Sequence, residues 1–365
     1  MKHVLMALGS YDYSAHKGIA RYAAAHGWHL NTSILKTFQM PHNWQGDGII
    51  TSLNNNQRIA QFIQKSKLPT VDISSWREDI DVARVTADNR AIGITAANHF
   101  IEMGHRHCAW YALSINPVGR ARFEGFRQGL ANYELEPVRL DGGRAQDGSA
   151  ILKKLSKLPR PCAIFCKSDY DAAWLSDLCL SAEIRIPEDI AILGVDNNAL
   201  ICENQIAPLS SVNHDLERIG YEGAALLEKL MNGEASPSSP ILIEPDGITV
   251  RKSTDALAIS DPLVLQALEF LNTNAHRPLS TTSISESLGV SRRTLETKFR
   301  TTLRTTVREK LIRIRIERSK TMLIQTTKPI EDVAVLNGFC HAPHFSNTFK
   351  KLTGISPTEF RQKTA

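Results

Sequence analysis

The stretch Ile284-Ser285-Glu286-Ser287-Leu288-Gly289-Val290-Ser291-Arg292-Arg293-Thr294-Leu295-Glu296-Thr297-Lys298-Phe299-Arg300 reads as one complete helix-turn-helix unit. Ile284 and Leu288 form an apolar i, i+4 pair on one helical face. Gly289 supplies the permissive backbone that a tight inter-helix turn needs, Val290 plugs that turn, and Ser291 suits the N-cap of the next helix. That helix, predicted over Arg292–Leu303, buries Leu295, Phe299 and Leu303. Arg292, Arg293, Thr294, Glu296, Thr297 and Arg300 are left exposed, the arrangement by which a recognition helix reaches base edges and phosphates.

The unit repeats 50 residues further on, where Phe345, Phe349 and Lys350 stand for Leu295, Phe299 and Arg300. Pro329 suits the first turn of a supporting helix with Ile330, Val333 and Ala334 on its apolar face. Gly338-Phe339 makes the second turn, and Pro343 opens a second recognition helix with His341, His344, Ser346 and Asn347 exposed. Between the units Val307–Ile324 reads as one helix, with Val307, Leu311, Ile314 and Met322 along one face and Arg308, Arg313, Arg315 and Arg318 between them. At about 1.5 Å per residue it is long enough to hold two recognition helices about 34 Å apart, one turn of B-DNA.

Charge separates this module from the rest. Residues 256–365 carry 17 Lys and Arg against 9 Asp and Glu, a net of +8, whereas residues 1–255 carry 26 against 29, a net of −3. The whole-chain value of +5 hides a basic module beside a mildly acidic one. A basic surface confined to one module is the footprint of phosphate binding, and double-stranded DNA is the expected partner.

Upstream, strand-like and helix-like segments alternate, the signature of a parallel α/β sheet. Strands are predicted at 3–8, 48–52, 70–74, 84–87, 108–113, 163–166, 190–195 and 241–243. Helices are predicted at 14–26 and near 56–66, 89–103, 120–133, 170–182 and 214–232. Ala235–Pro240 is a Ser/Pro-rich break, and Thr254–Pro262 reads as a linker. Two α/β lobes face to face leave a cleft at the C-terminal ends of their strands, where open parallel sheets bind ligands. Tyr11, Asp12, Trp76, Asp88, Asn116, Asp169, Asp196 and Asn197 all follow predicted strands. Carboxylates accept from hydroxyls, Asn both donates and accepts, and an aromatic ring covers the apolar face of a sugar. Arg122, at the start of a helix, offers a forked pair of donors. The polar set therefore suits a polyhydroxylated, uncharged ligand; the competing reading is that Asp and Asn after strands cap the next helix.

Other chemistries find less support. An α/β hydrolase or amidotransferase-like domain needs a nucleophile on a glycine-flanked elbow, and neither Gly-x-Ser-x-Gly nor Gly-x-Cys-x-Gly occurs. Cys166 follows a strand, but Lys167 and Ser168 beside it make no such elbow. No phosphate loop of the Gly-x-x-x-x-Gly-Lys type is present either. His105, His107 and Cys108, and Cys340, His341 and His344, lie close in sequence but lack a second ligand pair at zinc spacing. They are expected to be surface histidines beside core cysteines, with no catalytic residue, metal or cofactor. The six cysteines have no paired spacing, which fits buried thiols in a reducing cytoplasm. No signal pattern and no apolar run near the roughly 20 residues of a membrane span are seen.

The C-terminal pattern Gly338-Phe339, Phe345, Phe349-Lys350, Gly354-Ile355-Ser356-Pro357 and Phe360-Arg361 resembles the DNA-binding domain of AraC/XylS-type regulators. By that resemblance Arg293, Glu296, Thr297, His344 and Asn347 face bases. Asn347 stands where that family often has arginine, and His341 where a small hydroxyl residue is common; since Asn suits adenine and Arg guanine, the second helix is expected either to contribute less affinity or to read a different base. The N-terminal part resembles the sugar-sensing domain of LacI/GalR regulators, of periplasmic sugar-binding fold. The resemblance rests on Arg122-Phe123-Glu124-Gly125-Phe126-Arg127, Ala163-Ile164-Phe165-Cys166 with Asp169, and the run Ile186-Pro187-Glu188-Asp189-Ile190-Ala191-Ile192-Leu193-Gly194-Val195-Asp196. It implies that Arg122, Asp169 and Asp196 touch the sugar.

Such a sensor followed by such a reader, with Tyr11-Asp12, Gly18-Ile19-Ala20-Arg21-Tyr22, Gly46-Asp47-Gly48-Ile49-Ile50 and Arg251-Lys252-Ser253-Thr254-Asp255, resembles the xylose operon regulator group. That implies an α/β two-lobed sensor over 1–255, a linker over 256–262 and an all-α double helix-turn-helix domain over 263–365. It further implies a pentose effector, D-xylose first, transcription activation through RNA polymerase, and a cytoplasmic homodimer. Tyr13 sits where the group often has arginine, and Lys167-Ser168 also depart from it. A DNA-binding regulator with a vestigial or non-sugar sensor is the alternative.

Overall fold

The computed structural model describes residues 1–37, 39, 41, 44–140, 147–255, 261–303 and 305–364, with backbone alone at Lys36, Lys363 and Thr364. Of the predicted linker, residues 256–260 lie outside the described residues. Two compact units divide the chain, Met1–Phe100 with His105–Ala256, and Ile101–Gly104 with Leu257–Ala365.

The first unit begins with β1 (His3–Leu8), α1 (Tyr13–Ala25), β2 (His29–Asn31), α2 (Ile34–Thr37), β3 (Gly48–Ser52), α3 (Gln57–Lys65), β4 (Thr70–Asp72) and β5 (Ala83–Ala87). Next come α4 (Asn89–Glu102), β6 (His107–Tyr111), α5 (Pro117–Ala131), β7 (Val138–Arg139), α6 (Gly148–Leu155) and β8 (Cys162–Cys166). Then follow α7 (Asp169–Ser181), β9 (Ile190–Val195), α8 (Ala199–Cys202), β10 (Ser210–Val212), α9 (Leu216–Met231), β11 (Ile241–Ile243), β12 (Ile248–Thr249) and a 3-10 turn, Lys252–Thr254.

The strands form two sheets with the orders β11-β5-β4-β3-β1-β2 and β12-β10-β9-β8-β6-β7. Every pairing is parallel except β12 on β10. β8 and β9 are buried at every residue, which explains why both read as unbroken apolar runs: helices cover both faces of a parallel sheet. Each sheet reverses its winding once, between β1 and β3 and between β6 and β8, and a crevice opens at such switch points.

The chain crosses between the lobes three times, after β5, β10 and β11. The crossings lie side by side: Asp88 N donates to Ile243 O (2.8 Å), Asn213 N to Gly247 O (2.9 Å) and Asp246 N to Asn213 O (2.7 Å). After the first crossing α4 packs on α5 through glycines, since a Cβ on Gly125 would lie 2.0 Å from Arg90 O. After the second, α9 returns to α1, where a Cβ on Gly18 would lie 1.9 Å from Glu217 O. Four strands, β2, β7, β10 and β12, were not expected from the sequence. They are two or three residues long, and buried β10 is mostly serine, so no apolar run marks them.

The second unit comprises α10 (Pro262–Asn274), α11 (Thr281–Ser287), α12 (Arg292–Leu303), α13 (Val307–Gln325), α14 (Ile330–Leu336), α15 (Ala342–Thr353) and α16 (Pro357–Thr364). Asp261 caps α10, so the end of the predicted linker already belongs to a helix start. Two cores form. Val264, Leu268, Leu271, Ile284, Leu295, Phe299, Leu303, Val307 and Leu311 make the first, and Ile316, Leu323, Val333, Phe339, Phe345 and Phe349 the second. α13 serves both, which corrects the single apolar face expected for it. Its buried residues are Val307, Leu311, Ile316, Ser319 and Leu323, with Ile314 and Met322 only partly covered. Pro329 is the N-cap of α14 and not part of its first turn.

Candidate ligand cleft and nucleic-acid interface

Arg122 centres the cleft. It sits on α5, one turn beyond the Asn116 cap, and is 4 % exposed. Nε donates to Asn89 Oδ1 (2.9 Å) at the first crossing, Nη1 to the Lys167 carbonyl (2.5 Å) after β8, and Nη2 faces His214 Nδ1 (3.5 Å) at the second crossing. Asp196 Oδ1 lies 3.8 Å from Nη1. One guanidinium thus touches two crossings and two strand ends. Burial lowers its pKa, while Asp196, Asp169 and Asp171 act to raise it.

Asp196 follows β9 at φ +112, and Asn197 comes next at φ +49, two successive non-glycine residues at positive φ. The Asp196 side chain keeps 28 % exposure. Burial pushes its carboxyl up to about 7, Arg122 acts against that shift, and Asp169, Asp12 and Asp171 add to it. His214 Nε2 is 3.3 Å from Asp196 Oδ1 yet makes no aligned hydrogen bond. Arginine has only donors, so His214 Nδ1 must accept and Nε2 carries the proton. Burial, then Arg122, takes this imidazole down to about 3, so it is neutral at ordinary pH. The sequence reading did not select His214, because the strand before it, β10, is short and mostly serine.

The remaining candidates are spread more widely. Asp12, Asp88 and Asn116 each spend an oxygen as helix caps, accepting from Ala15 N, from Arg90 and Ala91 N, and from Gly119 N. Asp169 is wholly buried, its oxygens accepting from Ser211 Oγ (2.6 Å) and Asn198 N (2.8 Å), so it braces the cleft floor from beneath. Asn197 Oδ1 accepts from Arg251 Nη2 (3.0 Å). Tyr11 is 53 % exposed, its hydroxyl 3.2 Å from His16 Nδ1, and Trp76 is half-buried in the loop after β4. In that loop Ser75 Oγ accepts from Asn89 Nδ2 (3.0 Å), which ties it to Arg122 through Asn89. The arrangement offers a forked cation, a carboxylate, amides and a neutral imidazole, the set that hydroxyl groups need on both the donor and acceptor sides.

Cys166 is fully buried, and burial raises its thiol well above the ordinary range, which does not suit a nucleophile. Two expectations about the His/Cys clusters need correction: His105 is buried, whereas Cys340 is exposed. Among the described residues no three His, Cys, Asp or Glu side chains are grouped to hold a metal, and no helix is long and apolar enough to cross a membrane.

In the second unit both turns hold left-handed glycines, Gly289 at φ +67 and Gly338 at φ +79. Ser291 Oγ accepts from Thr294 N (3.1 Å), capping α12. Arg292, Arg293, Thr294, Thr297 and Arg300 are exposed on that helix. Glu296, expected to be exposed, is half-buried with Oε2 enclosed, so it presents less to a groove than its spacing implied. On α15 His344, Asn347 and Lys350 are exposed, and His341 is its exposed N-cap with no capping bond from the side chain. Arg315, one of the basic residues of α13, is turned inward. Nε donates to Ala275 O (2.8 Å), Nη2 to Arg277 O (2.7 Å), and the guanidinium lies 5.9 Å from the Phe339 ring centroid.

Comparison with known proteins accords with this two-part build. A periplasmic binding protein-like domain matches residues 97–254, and a helix-turn-helix domain matches residues 284–363. The xylose operon regulatory protein of Haemophilus influenzae is 28% identical over 328 residues, 86% of this chain and 84% of that protein. That of Escherichia coli strain K12 is 27% identical over 371 residues, 96% of this chain and 94% of that protein. The solved structure of xylose-binding transcription activator xylR superposes with a TM-score of 0.62 at 24% identity, covering 100% of this chain and 98% of that one. At that identity the structural match speaks for the fold. Relatives over nearly the whole chain are transcription regulators and this chain is one of them, a periplasmic binding protein-like domain followed by a helix-turn-helix domain, homologous to the xylose operon regulatory proteins over most of its length.

Proposed function

We propose that the chain is a cytoplasmic activator of pentose-utilisation genes that binds its operator as a homodimer, recruits RNA polymerase and responds to D-xylose in the cleft of its first unit. The observation that carries the reading is Arg122, which joins two lobe crossings to Asp196 and the Lys167 strand end. A small polyol lodged against this group lies beside two of the three crossings and two strand ends, segments whose geometry changes when two lobes close. Sugar binding then shifts the population toward a closed state. Asp196 accepts from sugar hydroxyls, Arg122 and the protonated Nε2 of His214 donate, and Trp76 and Tyr11 offer rings to the apolar face. On the DNA side Arg293, Thr297, His344 and Asn347 reach bases, while Arg292, Arg300 and Lys350 meet phosphates. The names of the relatives support xylose as effector, and the departures at Tyr13 and Lys167 make other pentoses the first competitors.

A thermal-shift screen against pentoses, hexoses and their phosphates tests the reading. A ligand at 100 times its dissociation constant adds about 2.7 kcal/mol to the unit that binds it. D-xylose as the strongest hit supports the assignment. A hexose or sugar phosphate in its place reassigns the effector, and no hit across the panel refutes the sugar-sensing role.

A further inference from the structure

Arg251 stands on the segment that leaves the first unit, between β12 and the 3-10 turn Lys252–Thr254. Its guanidinium is turned back into the lobe. Nη1 donates to the Leu209 carbonyl (2.9 Å) and Nη2 to Asn197 Oδ1 (3.0 Å), with Glu203 Oε1 3.5 Å away. Asn197 is the residue after Asp196, and both are held at positive φ. The Asn197 amide donates to Ser211 Oγ (2.9 Å), which donates to Asp169 Oδ1 (2.6 Å).

The exit segment is locked to the same strands from its other side. Arg251 N donates to Ser210 Oγ (2.8 Å), and that hydroxyl returns a bond to the Arg251 carbonyl (3.0 Å). Ser253 Oγ accepts from Ser210 N (2.9 Å) and donates to Ile192 O (2.6 Å) in β9. Thr254 Oγ1 donates to Ser210 Oγ (2.7 Å) and faces His99 Nε2 (3.0 Å) on α4. Ser253 and Thr254 are fully buried, which is uncommon for the last residues before a connection between units. An unbroken run of hydrogen bonds therefore joins the Asp196–Asn197 turn to residues 251–254.

We propose that Arg251 is the positioning residue that transmits the state of the cleft to the exit segment, through its bond to Asn197. This rests on the sugar-sensing reading. A ligand that draws Asp196 toward it moves the left-handed turn, and Asn197 Oδ1 moves with that turn. The guanidinium is planar, so a change at Nη2 reorients Nη1 and the Leu209 contact together, and residues 251–254 follow. Elements with two discrete arrangements, biased by both sites, are what coupling between sites requires. The side-chain bonds of Arg251 run to Leu209, Asn197 and Glu203 and none to Arg122 or Asp196, so its role is assigned to positioning and not to holding the sugar.

The test uses the full chain, D-xylose and an operator fragment selected from random DNA by the wild-type protein. Arg251→Lys keeps the charge but loses the fork. Wild type is expected to change its operator affinity with xylose by about 5–150-fold, the range of ordinary coupling. Arg251→Lys is expected to keep the xylose-induced rise in thermal midpoint and to lose that change. Hydrogen exchange on wild type is a second measure that needs no variant: xylose should alter exchange at the Ser253 and Thr254 amides. A variant that responds like wild type overturns the proposal, as does one that no longer binds xylose, since Arg251 would then act in binding. Unaltered exchange at 253–254 while cleft amides respond overturns it as well. A wild type indifferent to every sugar overturns the sensing reading first, and this proposal with it.

Discussion

Asp196 carries an electrostatic conflict that can be measured. Its ordinary pKa is 3.8, and burial beside Asp169, Asp12 and Asp171 lifts it to about 7 despite Arg122. Between those values the folded chain holds a proton that the unfolded chain has released, so stability falls as pH rises through the window. Asp72, lifted to about 6 chiefly by burial, adds to the same slope at its lower end. On the proposed sugar contact, hydroxyl groups donate to the ionised form of Asp196, so a bound sugar should pull its pKa back down and bind more tightly once the proton is gone. Calorimetric titration should accordingly show stronger xylose binding at pH 8 than at pH 6. Asp196→Asn should bind more weakly and erase that difference; an unchanged pH dependence in the variant would place the titrating group elsewhere. On the other surface, Arg293 is exposed near the N-terminus of α12 with no ion-pair partner among the described residues. Arg293→Ala should weaken operator binding by about 1–3 kcal/mol in a fluorescence titration and relax specificity at one base position, with xylose affinity untouched.

Between residue and domain, the element that matters most on the DNA side is α13, which gives its first half to one core and its second half to the other. A single helix with two partners fixes two recognition helices only if its own roll is fixed, and Arg315 supplies that restraint. It satisfies the Ala275 and Arg277 carbonyls beyond the end of α10 and reaches the Phe339 ring in the second turn. Gly338 makes room for it, since a Cβ there would lie 2.5 Å from Ala275 O and 2.9 Å from the guanidinium. Arg315→Ala should lower the melting midpoint of the second unit, chiefly through the part-buried Ala275 carbonyl that it strands, since the Arg277 carbonyl can turn to water. It should also weaken binding to a two-site operator more than to either site alone. Arg315→Lys should not fully restore either property: an ammonium has three donors, but it lacks the planar fork that reaches Ala275 O and Arg277 O from two nitrogens and lies against the Phe339 ring. This role was not legible in the sequence: four arginines along a helix read alike, and only packing tells the inward one from the outward ones. The same limit applies to β10, whose serines hide a buried strand because their hydroxyls bond to Asp169, Arg251 and Thr254, residues 41 to 44 positions away. What was legible had short-range causes: glycine in both turns, serine at the α12 cap, unbroken apolar runs in β8 and β9. Within the cleft, sequence placed Arg122 and Asp196 together by resemblance, and could not separate the Asp and Asn residues that cap helices from those left free.

At the scale of the whole chain, two units with separate cores and opposite charge balance predict how the protein unfolds. The first unit's lobes share three adjacent crossings, bonded side by side through Asp88, Asn213 and Asp246, so they should melt together. The second unit draws its cores only from its own helices. Scanning calorimetry of the full chain should therefore resolve two transitions, and a single two-state fit should fail. Xylose at 100 times its dissociation constant should move only the transition of the first unit, by the equivalent of about 2.7 kcal/mol, and operator DNA only that of the second. With both ligands present the two shifts should differ from the separate ones and by the same free energy, because a coupling free energy between sites is reciprocal: whatever xylose does for DNA affinity, DNA does for xylose affinity. Shifts that merely add would mean that the two units are tethered without communicating, and would leave the cleft and the reader as independent binding modules on one chain.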